Sequence, residues 1–243
     1  PVLLYSVITL LKIQENLWRY SETMSKCAII VSGGTLDEAL AFETLREYEE
    51  PCVIGVDRGV EFLYRHKIRP NYIVGDFDSL PEEIVTYYKE RNDVPIREFN
   101  PVKDATDTEI AVRLGMTLGC SKLIILGATG GRLDHFWANV QTLMISHKAG
   151  IYAEILDTQN RIRLIGGETH IRREDMYGPY FSVFPLGEIV YGFNIIGAKY
   201  PLRDHTLTPY DSLCVSNEIA EGEDEAVIDY SGGTVILMET RDR

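Results

Sequence analysis

Tyr72-Ile73-Val74-Gly75-Asp76-Phe77-Asp78-Ser79-Leu80-Pro81 is the stretch on which the reading of the fold turns. Three apolar residues form a short strand, a glycine and two carboxylates form a loop, and Pro81 opens a helix, a position proline favours. The same strand–loop–helix unit recurs on both sides. Apolar runs at Cys27–Val31, Cys52–Val56, Pro95–Phe99, Lys122–Leu126 and Tyr152–Leu156 read as strands. Between them, helices are expected over Leu36–Tyr48, Val60–His66, Pro81–Arg91, Thr106–Leu118 and Leu133–His147. Alternation at this spacing predicts an α/β domain with a mostly parallel sheet over 24–157. Beyond residue 157 helical periodicity ends. Short alternating runs replace it, at Arg161–Ile165, Tyr180–Phe184, Glu188–Tyr191, Leu213–Asn217, Glu225–Tyr230 and Thr234–Met238, separated by Gly, Asn, Asp and Pro. They predict an all-β sandwich domain over 158–243.

In an open parallel sheet, ligands bind beyond the carboxyl ends of the strands, where Asp76 and Asp78 fall. Two residues apart on an extended backbone, their side chains leave on the same side. Carboxylates held that close repel unless a cation joins them, and Mg²⁺ suits hard oxygen ligands that also face phosphate. The bland alternative is a solvated turn in which Asp78 or Ser79 caps the next helix. Lys103-Asp104-Ala105-Thr106-Asp107-Thr108-Glu109 is a second candidate. Thr106 and Glu109 resemble a capping box, which leaves the crowding of Lys103, Asp104 and Asp107 unexplained. Gly130-Gly131-Arg132-Leu133-Asp134-His135 is a third: glycines admit a ligand to the backbone, Arg132 offers a fork to phosphate oxygens, and Asn139 follows about a turn later. Asp57, in Gly55-Val56-Asp57-Arg58-Gly59, follows another strand. One parallel sheet would bring all four loops to one edge, which favours an acidic, metal-loaded phosphate site. No Walker phosphate loop and no GxGxxG fingerprint is present.

The bulk numbers agree. With 37 acids against 24 bases and a formal net charge of −13, the chain lacks the basic footprint of a nucleic-acid binder. Four cysteines without CxxC spacing read as reduced core residues of a cytoplasmic protein. Pro1–Leu11 is too short for a membrane span, so no membrane partner is expected. Residues 1–23 read as an N-terminal extension ahead of Met24.

In order, Asp57, GDFDS at 75–79, KDATDTE at 103–109, GGRLDH at 130–135 and Ser216-Asn217 resemble the thiamin pyrophosphokinase family from about Lys26 to Met238. The resemblance implies transfer of pyrophosphate from ATP to thiamin, with Mg²⁺, in a homodimer whose active site lies between subunits. It makes Asp76, Asp78 and Asp107 metal ligands, and Asp57, Arg132 and Asp134 substrate-site residues. Ser216 and Asn217 would contact thiamin, with Asp134 beside them. Arg132 and Lys103 would hold phosphates, Asp104, His135 and Asn139 would complete the ATP site, and Asp78, Asp107, Arg132 and Asp134 would carry catalysis. Asp107 and Asp134 are both candidates for the hydroxyl proton. The chain departs from the pattern at Arg58, where Asp-Gly-Gly is frequent, and in lacking a tryptophan at 234–237. A Mg²⁺-dependent phosphohydrolase and a non-catalytic nucleotide- or thiamin-binding regulator are the competing functions.

Overall fold

The computed structural model describes residues 26–75, 78, 80–91, 93–97 and 105–242. The expectations placed on residues 1–23, Asp76, Ser79, Phe99, Lys103 and Asp104 lie outside them.

Five strands, β1 (Cys27–Val31), β2 (Cys52–Val56), β3 (Tyr72–Val74), β4 (Ile96–Arg97) and β5 (Lys122–Leu126), pair in parallel with β6 (Tyr152–Leu156) in the order β4-β3-β2-β1-β5-β6. β1 and β2 are buried along their whole length, as strands covered on both faces must be, which is why they read as unbroken apolar runs. The helices that cover them are α1 (Glu38–Glu47), α2 (Gly59–Arg65), α3 (Glu82–Arg91), α4 (Asp107–Thr117) and α5 (Leu133–Lys148). Asp37 caps α1 by accepting the Leu40 amide at 2.9 Å. Thr106 caps α4 by accepting the Glu109 amide at 3.2 Å. The expected capping box is half made, because the Glu109 carboxylate turns to Arg113 instead.

After β6 the chain reverses in a tight turn. The Asp157 carboxylate accepts the amides of Gln159 and Asn160, both at 2.8 Å, and β7 (Asn160–Ile165) returns antiparallel to β6. β8 (Thr169–Arg172), β9 (Tyr180–Pro185), β10 (Val190–Ile196), β11 (Leu202–Leu207), β12 (Glu225–Asp229) and β13 (Val235–Thr240) complete the chain. β13 and β9 extend the first sheet to nine strands, and β11-β10-β12-β8 form a second sheet of four. Three strand assignments change. Leu213–Asn217 is a turn with one bridge to Phe181, because the exposed Leu213 and Val215 have no sheet to pack on. β8 and β11 escaped notice because each carries only one buried residue.

The strand on which both halves depend is β13. Ile236 packs with the α/β core, among residues such as Ile125, Val140 and Leu143. Its neighbours Val235 and Leu237 face the other way, into a second core with Phe181, Phe193 and Ile228. Alternation along one strand thus serves two cores. All four cysteines are free and buried. Among the described residues, no helix is long and apolar enough to cross a membrane.

Candidate active site

The loops after β1, β2 and β5 and the start of α4 meet at the carboxyl edge of the parallel strands. The Ser32 amide donates to the Leu126 carbonyl at 2.8 Å, that of Gly34 to Gly127 at 2.7 Å, and that of Thr35 to Thr129 at 3.0 Å. The buried hydroxyls of Ser32 and Thr108 lie 2.6 Å apart and tie α4 to the β1 loop. Asn139, buried on α5, donates from Nδ2 to the Ala128 carbonyl at 3.0 Å and holds the glycine loop in place.

Two close approaches need glycine. A Cβ on Gly34 would lie 2.5 Å from the Gly127 carbonyl oxygen, so only glycine lets these loops touch. Gly75 has φ +146°, and a Cβ there would meet Asp57 Oδ1 at 2.5 Å. Asp57 itself sits at φ 47°, its amide donating to the Val74 carbonyl at 3.3 Å. Gly75 therefore leaves room for the Asp57 carboxylate, and Asp57 holds a left-handed backbone that is costly for a residue other than glycine.

The result is a cleft of about 550 Å³, within the range of small-molecule sites. Asp57 and Asp107 are its acidic lining residues, and Arg58, Arg132, His135 and Asn139 line it too. Ser32, Gly33, Gly34, Arg58 and Gly131 also border a second cleft of about 400 Å³ alongside. The structure thus assembles Asp57, Asp107, Arg132, His135 and Asn139 in one place. Asp78 lies exposed in the loop after β3. Ser32, Gly33 and Gly34, a weak signal in the sequence as small residues after a strand, also line the cleft, as does Thr108, to which the sequence assigns no role of its own.

Asp134 is outside the cleft lining, where Arg132 donates to both of its carboxylate oxygens. That pairing, with the His135 amide, lowers the Asp134 pKa to about 2. A carboxylate depressed this far stays ionised above that pH, so it is a weak proton acceptor near neutrality. Accordingly, Asp134→Asn should leave the shape of the kcat/KM profile between about pH 5 and 9 unchanged, whatever it does to its height. Loss of a limb in that range would make Asp134 the titrating base.

Ser216 and Asn217 line none of these clefts. Asn217 is buried, and its amide group is spent on the backbone: Oδ1 accepts the Tyr200 and Glu218 amides at 3.0 and 2.9 Å, and Nδ2 donates to the Tyr200 carbonyl at 2.9 Å. Ser216 is exposed at φ 55°, with Leu213, Val215 and Tyr200 exposed around it in sequence or through that bond. Asn217 therefore fixes the backbone of Tyr200 and Glu218, and Ser216 stands exposed next to it.

Among the described residues no group of three or more His, Cys, Asp or Glu is gathered to hold a metal. The donor chemistry nevertheless fits Mg²⁺, which commonly takes one or two carboxylates and fills its other positions with water and substrate phosphate. Asp57 and Asp107, which both line the cleft, supply that number.

Comparison with known proteins converges on one family. Residues 46–155 match the model for the thiamin pyrophosphokinase catalytic domain, and residues 168–235 match that for the thiamin pyrophosphokinase vitamin B1 binding domain. The thiamine pyrophosphokinase of Bacillus subtilis strain 168 is 30% identical over 194 residues, which is 80% of this chain and 89% of the relative. A crystal structure of thiamine pyrophosphokinase from Bacillus subtilis superposes with a TM-score of 0.79, covering 90% of this chain and all of its own. A crystal structure of thiamin pyrophosphokinase from Geobacillus thermodenitrificans gives 0.76 at 33% identity, covering 89% of this chain and 98% of its own.

Proposed function

Because the chain belongs to the thiamin pyrophosphokinase family, we propose that its cleft transfers the pyrophosphoryl group of ATP to the hydroxyl of thiamin, giving thiamin diphosphate and AMP. The observation that carries this reading is the cleft itself. Two carboxylates, two guanidinium groups and glycine-rich backbone converge at the strand ends, as a phosphate substrate bridged by a hard cation requires. Neither competing function is favoured by a specific feature.

The hydroxyethyl oxygen of thiamin forms a bond to the β-phosphorus of ATP. The bond from that phosphorus to the α–β bridging oxygen breaks, and AMP leaves with the oxygen. Arg132, on the cleft wall, holds phosphate oxygens, for which it must exchange part of its pairing with Asp134. Asn139 and the Ser32–Thr108 pair keep the loops at a fixed spacing, so little reorganisation remains at the moment of transfer. In a loose transition state the hydroxyl proton departs late, and Asp107, on the wall, can take it. Asp76, Asp78 and Asp107, with Asp57 beside Asp107 in the cleft lining, would hold Mg²⁺, which when bound would neutralise charge on the phosphates. Lys103 would hold phosphate oxygens beside Arg132, and Asp104 would complete the ATP site.

The family-model matches lie on either side of residue 157, which supports assigning 24–157 to ATP and metal and 158–243 to thiamin. That Ser216 is exposed and stands apart from its own chain's clefts supports a homodimer in which each β domain serves the neighbouring subunit. The four free cysteines support a reducing, cytoplasmic setting.

Purified protein given ATP, Mg²⁺ and thiamin is expected to form AMP and thiamin diphosphate in equal amounts, and EDTA to abolish both. AMP release without thiamin would point to a phosphohydrolase. Binding without AMP would point to a regulator.

A further inference from the structure

Three guanidinium groups line the two adjoining clefts, and they are not equivalent. Arg132 is matched by Asp134. Arg65 lies 3.8 Å from Glu38 and 3.5 Å from Glu61. Arg58 is exposed, and among the described residues its side chain has no ion pair and no hydrogen bond. It borders both clefts, whereas Arg65 lines one and Arg132 the other.

The root of this side chain is fixed even though its head is not. The Val60 amide donates to the Asp57 carbonyl at 3.0 Å and the Glu61 amide to that of Arg58 at 3.1 Å. Gly59 presses against the Val31 carbonyl so closely that a Cβ would lie 2.0 Å from its oxygen. On the other side, a Cβ on Gly33 would be 3.2 Å from the Arg58 amide nitrogen. A long cation anchored at its base, without a partner at its tip among the described residues and placed where two cavities join, is suited to a ligand that crosses from one to the other.

We infer that Arg58 is a donor-binding residue: its guanidinium holds the polyphosphate of ATP at the junction of the two clefts, so that the nucleotide spans both. This rests on the reading of the cleft as an ATP site. The planar fork matches paired phosphate oxygens, and a charge-assisted bond of this kind is strong in a recessed site.

Arg58→Gly and Arg58→Lys test it. Arg58 is the N-cap of α2, and glycine is well tolerated there, so the glycine variant keeps its fold. Removing one charge-assisted contact should raise KM for ATP about 10- to 100-fold, with KM for thiamin changed by less than about 2-fold. Arg58→Lys should fall between the two, since it keeps the charge and loses the fork. Calorimetric binding of ATP in EDTA should weaken in the same order, which separates a direct contact from an effect on metal loading. If Arg58→Gly turns over thiamin with an unaltered KM for ATP and unaltered binding, the assignment of Arg58 is overturned and the transferase reading stands. If the unsubstituted protein forms no AMP with thiamin, it is the transferase reading that fails.

Discussion

Asp107→Asn is expected to lower turnover by about 10²–10³-fold while the protein stays folded, because it removes a preorganised charge from the wall where phosphate charge shifts during transfer. Two magnitudes separate the chemical from the structural role of this residue. As the first residue of α4, Asp107 also faces the positive end of that helix, an interaction worth about 0.3–1 kcal/mol. Asparagine keeps the shape and loses the charge, and the Thr106 cap stays in place. The melting temperature should therefore fall by only a few degrees, since about 1 kcal/mol corresponds to roughly 2–4 °C in a chain of this size. A variant with turnover within about 3-fold of the parent would remove Asp107 from the reacting centre; a variant that does not fold would mean the helix depended on it. Asp78→Asn should behave in the same way if Asp78 holds the metal, and turnover near normal there would sink that assignment.

The parts of this site that could be read from the sequence were those with a local cause. A glycine followed by carboxylates after three apolar residues is a strand end meeting a loop, whatever surrounds it. The unbroken apolar runs of β1, β2 and β5 could only be strands covered on both faces. What stayed hidden depends on pairing between distant residues. Nothing local to Ser32 or Thr108 says that their hydroxyls meet, 76 residues apart. Asn217 reads by itself as a turn residue and is a thiamin contact only by family resemblance, and only the fold shows its amide consumed by the backbone of Tyr200 and Glu218. Arg58 is visible in the sequence as a departure from a pattern, but its lack of a partner among the described residues is a property of the assembled cleft. The change of periodicity near residue 157 was real. It marks a hairpin, formed by an Asp157 turn that Asp-Thr-Gln-Asn could have announced, and the first sheet runs on through it.

That continuity makes Glu239 the second residue with a large expected effect, this time on stability. It lies on β13 opposite Arg161 of β7, and its side chain is 1% exposed. Arg161 donates to it twice, from Nε at 2.8 Å and from Nη2 at 2.6 Å, and Arg163 Nε lies 3.5 Å away. Removing the carboxylate leaves two guanidinium groups without their anion in a recess that water reaches poorly. Breaking a buried pair in this way costs about 3–5 kcal/mol, and the lower end applies here because the Arg161 side chain is still 22% exposed. Glu239→Leu should therefore lower the melting temperature by roughly 6–12 °C. Arg161 also donates to the Asp175 carbonyl at 2.6 Å, so the fall should carry with it the turn after β8. Replacing the whole group, Arg161→Met with Arg163→Met and Glu239→Leu, should recover most of the loss, because an apolar surface of similar volume escapes the cost of desolvating charge. Well below its melting temperature Glu239→Leu should retain its KM for ATP, since Glu239 lines neither cleft. A fall of less than about 2 °C would mean that the two arginines find other partners and that the cores on either side of β13 hold the sheet together without the charge group.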